Sequence, residues 1–213
     1  MAKVPIAGNV KTRLQPYLTP ERSADFAACL LSDTIAKVES LRNQLIIAYS
    51  PGNEREYFDR FALSKTFFVE QKGSDLGEKM FNAFEFAFSR NIDSAVMIGT
   101  DSPTFPCKFI EDAFEDLEKF DAILGKTSDG GFYLIGLNRL KTEIFENVEW
   151  SSPKTFRQTK ENVLGCGLKL KEMPEWFDVD EPSDLEKLRQ DFAQNAVSRL
   201  AAPKTFEWIR ANL

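Results

Sequence analysis

The chain has 213 residues, a length that predicts one domain with a sizeable hydrophobic core. Its hydrophobic fraction of 43% and its 19 Phe residues exclude a largely disordered protein, and its net charge of −6 argues against a main role in binding nucleic acid. The absence of His excludes the commonest general base, so any chemistry must use carboxylates, Lys, Tyr or a hard metal ion.

The cysteine content and the hydropathy pattern bear on location. Cys29, Cys107 and Cys166 are odd in number and widely spaced, which favours a reducing cytoplasm over a disulfide framework or a zinc site. No apolar stretch approaches the roughly 18 residues of a membrane span, and no signal-peptide core is present at the start. We therefore expect a cytoplasmic protein without a membrane span. The oligomeric state is not determined by the sequence.

The chain opens with a basic turn. Gly8 lets the backbone approach a ligand, Lys11 supplies a point charge, and Arg13 supplies a planar fork suited to phosphate oxygens. The spacing is not that of a P-loop, because Lys11 and Thr12 follow Gly8 too closely. Two interpretations stay open, namely a nucleotide phosphate site and a basic surface turn that leads into a helix.

After this turn, helical and extended patterns alternate to the end of the chain. Helices are predicted at 20–41, 54–62, 75–88, 109–119, 153–163, 183–192 and 204–212, and strands at 45–49, 66–69, 95–99, 121–124, 132–137 and 168–171. This order predicts an α/β fold over residues 1–213, a single-domain three-layer α/β/α arrangement with a mostly parallel central sheet.

Asp101 directly follows the apolar run 95–99, so it is predicted to lie at the carboxyl edge of the sheet, where open α/β folds bind ligands. It is either a metal ligand or a cap of the helix that begins after Pro106. Asp178 and Asp180 are two residues apart, so in an extended segment their side chains point the same way and can share Mg²⁺ or Mn²⁺. Because acidic turns before helices are common, this pair gains weight from its combination with Asp101.

Three further positions carry polar groups at predicted strand ends. Asp129 precedes Gly130 and Gly131, and it can orient a hydroxyl or act as a base, or the three residues can form only a tight turn. Gln71, Asp75 and Gly77 form a loop that can reach a base or ribose, or simply start a capped helix. Trp150 either packs under a helix start or lines an acceptor pocket.

Taken together, these segments resemble one family. The segments are 3–14 (Lys-x-Pro-x-x-Gly-x-Val-Lys-Thr-Arg-Leu), 71–80, Gly-Thr-Asp-Ser-Pro at 99–103, Asp-Gly-Gly-Phe-Tyr-Leu-Ile-Gly-Leu at 129–137, Trp-Ser-Ser at 150–152 and Asp-Val-Asp-Glu-Pro-Ser-Asp-Leu at 178–185. They resemble a bacterial family of inferred glycosyltransferases that is often labelled as arsenosugar-biosynthesis type. The family is similar to the GT-A nucleotide-diphospho-sugar transferases and, more distantly, to the molybdenum cofactor and phospholactate guanylyltransferases.

The resemblance implies roles for the residues named above. Gly8, Lys11 and Arg13 would lie on nucleotide phosphates, and Gln71, Asp75 and Gly77 near the base or sugar. Asp101, Asp178 and Asp180 would hold Mg²⁺ or Mn²⁺, with Asp101 and Asp129 as the catalytic residues. Gly130, Gly131 and Trp150 would face the acceptor or sugar.

Three functions follow as hypotheses. The first is transfer of a sugar from a nucleotide-diphospho-sugar to an unknown small-molecule acceptor, and the second is nucleotidyl transfer to a phosphorylated small molecule. The third is a nucleotide-binding protein without catalysis. Each takes a nucleotide or nucleotide sugar as its partner, and none involves nucleic acid.

One expectation concerns the first strand. In a fold of this kind the phosphate turn follows a strand, yet only Met1 and Ala2 precede Lys3. We therefore expect that the first strand is truncated in this sequence, and that either the natural protein starts upstream or this form is destabilised.

Overall fold

The computed structural model describes residues 1–15, 17–41, 43–62 and 66–213. The strands are β1 (Ala2–Lys3), β2 (Leu45–Ser50), β3 (Thr66–Glu70), β4 (Ala95–Ile98), β5 (Ala122–Thr127), β6 (Phe132–Leu137) and β7 (Leu170–Trp176). The α-helices are α1 (Pro20–Ser40), α2 (Leu76–Phe88), α3 (Cys107–Asp116), α4 (Thr155–Gly165), α5 (Pro182–Gln194), α6 (Ala196–Ala201) and α7 (Pro203–Asn212). Short 3₁₀ segments occupy Thr12–Leu14, Gly52–Phe61 and Thr142–Ile144.

The strands form two groups. One sheet has the order β1-β2-β3 and is parallel, and the other has the order β4-β6-β5-β7. In the second sheet β6 runs antiparallel to β4 and β5, whereas β5 and β7 are parallel. The predicted α/β class is confirmed, with β6 as the strand that departs from the parallel direction in the described residues. The strand β1 has two residues, which pair with Tyr49 and Ser50 of β2.

Helices cover both faces of the second sheet. Successive side chains along its buried strands point to opposite faces, so each face carries apolar side chains for the helices to cover. Leu124 and Ile135 pack in a cluster with residues of α2 and α4, while Ile123 and Leu134 pack in a cluster with residues of α3. The neighbouring strands β5 and β6 are almost wholly buried, as expected for strands that are covered on both sides.

The C-terminal helices are fixed to α1 by a buried carboxylate. Asp33 accepts hydrogen bonds from the backbone N–H groups of Lys204 and Thr205 and from the Thr205 hydroxyl. It therefore caps the start of α7 from another helix, which satisfies donors that a helix start leaves open. A cluster that includes Leu14 and Leu185 joins the N-terminal turn to α1 and α5. This packing brings the basic turn beside the start of α5.

Some predicted boundaries differ from the structure. The helix predicted at 109–119 is α3, which begins and ends earlier, and the strand predicted at 168–171 is β7, which extends to Trp176. The helix predicted at 54–62 is a 3₁₀ segment with non-helical backbone at Glu54. The helix α6 was not predicted. Its six residues are too few to show a clear hydrophobic period.

Candidate functional site

The ammonium group of Lys11 joins three distant parts of the chain. Its Nζ contacts Asp101 Oδ1, lies 2.8 Å from Asp180 Oδ1 and lies 2.9 Å from the carbonyl oxygen of Val179. The Lys11 side chain is 5% exposed, whereas those of Asp101 and Asp180 are 45% and 37% exposed. The Lys11 nitrogen is thus enclosed by oxygen atoms, and its predicted contact with a nucleotide phosphate stays a prediction.

The backbone holds these segments together. The N–H group of Val179 donates to the carbonyl oxygen of Asp101 at 2.9 Å, which ties the segment after β7 to the segment after β4. Asp184, in the first turn of α5, accepts from the N–H groups of Asp180 and Glu181 at 3.2 and 2.9 Å. The position of Asp180 is thus set by backbone hydrogen bonds on both sides of the acidic segment.

Asp178 takes a different partner. It accepts a hydrogen bond from the hydroxyl of Ser102, which is buried directly after Asp101. Burial, followed by the nearby charge of Asp101, raises the pKa of Asp178 to about 7. Burial acts to lower the pKa of Lys11, but the charges of Asp101 and Asp180 outweigh it and the pKa is raised above its usual value. Lys11 is therefore the cation that neutralises this acidic group.

The cluster has the chemistry of a hard-cation site. Two carboxylates and a carbonyl oxygen already surround one positively charged atom, and oxygen ligands are those that Mg²⁺ and Mn²⁺ prefer. In the described residues, no group of three acidic, His or Cys side chains stands close enough to hold a metal ion. Asp101 and Asp180 would supply two of the oxygen ligands of such a cation, and the Lys11 ammonium occupies the place between them.

Asp129 lies in a tight turn between β5 and β6. Its Oδ1 accepts from the Thr127 hydroxyl at 2.6 Å and from the N–H of Gly131 at 3.0 Å. These two bonds fix the carboxylate, whose Oδ2 has no partner in the described part of the chain. The tight-turn and the ligand interpretations of Asp129 are compatible, because the turn binds Oδ1 and leaves Oδ2 free to contact a ligand.

One cavity of about 840 Å³ contains most of the predicted residues. It is lined by Lys11, Arg13, Gln71, Asp101, Asp129, Gly131, Asp178 and Asp180 among others. Arg13 is exposed at this cavity, so its guanidinium is accessible to a ligand. The acidic cluster and the Asp129 turn therefore share one solvent-accessible space.

Two of the residues predicted to contact the base or sugar form hydrogen bonds with the backbone. Asp75 caps α2 by accepting from the N–H of Glu78, and Gln71 donates to the carbonyl oxygens of Ala2 and Ala48. The Gln71 amide thus ties β1 to β2, although the residue also lines the cavity.

Three predicted glycines and Trp150 do not line the cavity, and local packing or backbone conformation describes their positions. A Cβ atom on Gly77 would lie 2.7 Å from the indole of Trp150, and one on Gly130 would lie 2.3 Å from the carbonyl oxygen of Pro153. Gly8 has a φ of +83° in the exposed turn before Lys11. Trp150 therefore packs under the start of α2, with its buried Nε1 lacking a hydrogen-bond partner in the described residues.

Sequence reasoning missed two residues that support the site. Ser102 orients Asp178, and Lys37 donates from α1 to the carbonyl oxygens of Pro103 and Phe105 at 2.7 Å each. Burial lowers the pKa of Lys37 to about 8. Lys37 is followed by the apolar Val38 in α1, and no sequence pattern distinguishes a buried lysine from an exposed one at that position.

The family model described as "Uncharacterized protein conserved in bacteria (DUF2064)" matches residues 34–152, which is more than half of the chain. The chain belongs to this family. No curated protein matches the sequence of this DUF2064 protein.

Solved structures agree with the fold of this DUF2064 protein. An inferred nucleotide-diphospho-sugar transferase from Desulfovibrio desulfuricans G20 is 30% identical, with a TM-score of 0.89 over 99% of this chain and 92% of that chain. The inositol-1-phosphate CTP transferase from T. maritima is 16% identical, with a TM-score of 0.53 over 100% and 96% of the two chains. A CMP:2-keto-3-deoxy-manno-octonic acid synthetase complexed with CTP is 12% identical, with a TM-score of 0.52 over 78% and 88%.

The resemblance drawn from the motifs is thus confirmed at the level of family and fold. The last two structures support the fold alone, because their identity to this chain is low. Within the described residues, no helix is long and apolar enough to cross a membrane.

Proposed function

We propose that the protein is a glycosyltransferase that binds a nucleotide-diphospho-sugar with Mg²⁺ or Mn²⁺ and transfers the sugar to a small-molecule acceptor. One observation carries this proposal. The oxygen cluster around Lys11 and the fixed carboxylate of Asp129 open into the same cavity, with the Arg13 guanidinium beside them. The similarity to the D. desulfuricans structure, itself described as an inferred nucleotide-diphospho-sugar transferase, supports the substrate class.

The cation would be held by Asp101 and Asp180, with Asp178 next to them. When bound, a divalent cation neutralises charge that develops on a departing diphosphate. Lys11 competes for the same oxygens, because its ammonium already contacts both carboxylates. A diphosphate offers this ammonium an alternative set of anionic oxygens, so nucleotide and cation are expected to bind together.

Arg13 and Asp129 complete the proposed roles. The exposed guanidinium of Arg13 can make paired hydrogen bonds to phosphate oxygens. The free Oδ2 of Asp129 can accept a hydrogen bond from an acceptor hydroxyl and take its proton as the sugar is transferred. The proposal includes a cytoplasmic location, which agrees with three unpaired cysteines.

The experiment separates glycosyl transfer from nucleotidyl transfer. The protein is screened by thermal shift against nucleoside triphosphates and nucleotide sugars with Mn²⁺, since a ligand of the folded state raises its apparent stability. Ligands that bind are then incubated with sugar or sugar-phosphate acceptors, and the released diphosphate or pyrophosphate is measured. Release of nucleoside diphosphate from a nucleotide sugar supports the proposal.

The other outcomes favour the other hypotheses. Pyrophosphate release from a triphosphate would favour nucleotidyl transfer over glycosyl transfer. Binding without turnover would favour a nucleotide-binding protein without catalysis. Asp101→Asn and Asp129→Asn serve as the inactive variants. Asp25→Asn, at an exposed position of α1, is the matched control.

A further inference from the structure

The loop between β4 and α3 carries Asp101 into the site. This loop, residues 99–106, which we call the Asp101 loop, is neither helix nor strand, so no regular ladder of hydrogen bonds sets its shape. Its central part, from Ser102 to Phe105, is nevertheless buried. Buried backbone carbonyl groups need hydrogen-bond donors. The donors that reach this loop therefore help to determine where Asp101 lies.

A buried lysine of α1 supplies such donors. Lys37 Nζ donates to the carbonyl oxygens of Pro103 and Phe105 at 2.7 Å each, and it lies 3.9 Å from the centre of the Phe105 ring. The residue is only 4% exposed, and both hydrogen-bond partners are neutral carbonyl groups. Burial lowers the pKa of Lys37 to about 8, so the ammonium form still predominates at pH 7. Because a buried ammonium is costly, these contacts are the ones that retain it against the loop.

The end of β7 is attached to the same loop. Trp176, the last residue of β7, donates from Nε1 to the Thr104 hydroxyl at 3.2 Å. Two residues later, Asp178 accepts a hydrogen bond from the Ser102 hydroxyl, and Asp180 follows in the same segment. The Asp101 loop thus links α1 to the segment that carries the other two carboxylates. A change in the position of the loop would change the distances between all three.

We propose that Lys37 is a positioning residue of the cation site, whose ammonium fixes the Asp101 loop against α1 and thereby sets the affinity for Mg²⁺ or Mn²⁺. Lys37 does not line the site cavity, so it acts through the loop and not by contact with a ligand. Removal of an outer partner that orients a metal ligand typically weakens metal binding by about 10–100-fold. The inference rests on the proposed binding of a divalent cation by Asp101 and Asp180.

A purely structural role of Lys37 is the alternative. In that case the ammonium would stabilise the packing of α1 against the Asp101 loop, and its loss would lower Tm without changing cation binding. A positioning role predicts a second effect, because two unpaired carbonyl groups would draw the loop toward other donors and move Asp101. The dissociation constant for Mn²⁺, measured beside Tm, separates the two roles.

The test compares Lys37→Met, which removes the ammonium at similar side-chain length, with the control Thr205→Val. The Thr205 hydroxyl donates to Asp33, one turn before Lys37 on α1, so the control removes a buried hydrogen bond from the same helix away from the Asp101 loop. Asp101→Asn shows whether Mn²⁺ binds at the cluster. Each substitution is made in wild type and in Lys11→Met, where the competing ammonium is absent. Mn²⁺ alone is titrated at pH 7 by electron paramagnetic resonance, and Tm is recorded for every variant.

We expect Lys37→Met to weaken Mn²⁺ binding by about tenfold, and Thr205→Val to lower Tm while it leaves Mn²⁺ binding unchanged. If Lys37→Met does not fold, Lys37→Gln replaces it, because its amide is one bond shorter and cannot reach both carbonyl groups.

The inference is wrong if a folded Lys37 variant binds Mn²⁺ as wild type does while Asp101→Asn binds it weakly, a result that leaves the proposed function intact. Equal weakening in Lys37→Met and Thr205→Val would also overturn it, since any loosening of α1 would then suffice. If Asp101→Asn has no effect in either background, the proposed cation site is wrong and this inference fails with it.

Discussion

Lys11 Nζ lies 2.8 Å from Asp180 Oδ1, although 169 residues separate the two in the sequence. The same nitrogen also contacts Asp101, so the ammonium lies where a cation shared by the two carboxylates would lie. This arrangement explains how two acidic residues can stand close together in a half-buried position. It also predicts that removing Lys11 changes cation binding and not only phosphate binding.

The first prediction concerns Lys11→Met. Without the ammonium, Asp101 and Asp180 repel each other, so the variant should bind Mn²⁺ more tightly than wild type in the absence of nucleotide. Its free energy of unfolding without metal should fall by about 1–2 kcal/mol, less than for a fully buried pair, because both carboxylates are partly exposed. Calorimetry with Mn²⁺ and urea unfolding measure both effects. Lys119→Met, at an exposed position, is the control, and equal Mn²⁺ affinity in Lys11→Met and wild type would contradict the competition.

The second prediction concerns Arg13→Gln. Because the Arg13 side chain is exposed at the cavity, the substitution should leave the melting temperature unchanged. It should weaken nucleotide-diphosphate binding by about tenfold, the loss of one charge-assisted contact. Arg157→Gln, exposed on α4, should change neither property. An Arg13→Gln protein with wild-type nucleotide affinity would make the segment a basic turn without a phosphate role.

The third prediction is a dependence of stability on pH. The pKa of Asp178 is about 7 in the folded protein and 3.8 in the unfolded chain, so between these values the folded state binds more protons. The free energy of unfolding should therefore fall as pH rises from about 4 to about 7. Asp178→Asn should lack this decrease and gain about 1–2 kcal/mol relative to wild type between pH 4 and pH 8, since the side chain is only half-buried.

Urea unfolding at several pH values measures this difference, with Asp25→Asn as the control. A constant difference between Asp178→Asn and wild type across this range would show that Asp178 titrates normally. Bound Mn²⁺ should lower the pKa of Asp178, so metal binding near pH 6 should release protons.

The fourth prediction separates packing from ligand binding at Gly77. A methyl group there would lie 2.7 Å from the Trp150 ring, so Gly77→Ala should lower Tm by several degrees through overpacking. Gly165→Ala, at a helical position with open space around it, should not lower Tm. Trp150→Phe should reduce the cost of Gly77→Ala in a double-mutant cycle. If the effects of the two substitutions are additive, the fall in Tm caused by Gly77→Ala does not come from contact with the Trp150 ring.

The sequence was sufficient for most of the order of helices and strands, and eight of the thirteen predicted site residues line the cavity. Apolar runs such as Ala95–Ile98 fix strands, and the carboxyl ends of parallel strands meet at one edge, so Asp101 could be placed near Asp178 and Asp180. The partner of these carboxylates could not be predicted. Whether Lys11 points outward to a phosphate or inward to Asp101 depends on a left-handed backbone at Lys11, with a φ of 48°, which the sequence does not specify.

The roles of two other predicted residues also depend on packing. Asp75 and Gly77 match the family pattern, but a helix cap and a close indole contact explain them equally well, and only three-dimensional packing shows the latter. The cavity between β2 and β4 could not be predicted either, because it depends on the positions of α1, α2 and α3.

The measurement that tests the central claim most directly is a titration of Mn²⁺ followed by electron paramagnetic resonance, with and without a nucleotide diphosphate found in the thermal-shift screen. Wild type is compared with Asp101→Asn, Asp180→Asn and the control Asp25→Asn. The account predicts that nucleotide tightens Mn²⁺ binding in wild type and in the control, and that either site substitution weakens it by about tenfold or more. Unchanged Mn²⁺ binding in both Asp101→Asn and Asp180→Asn would contradict it.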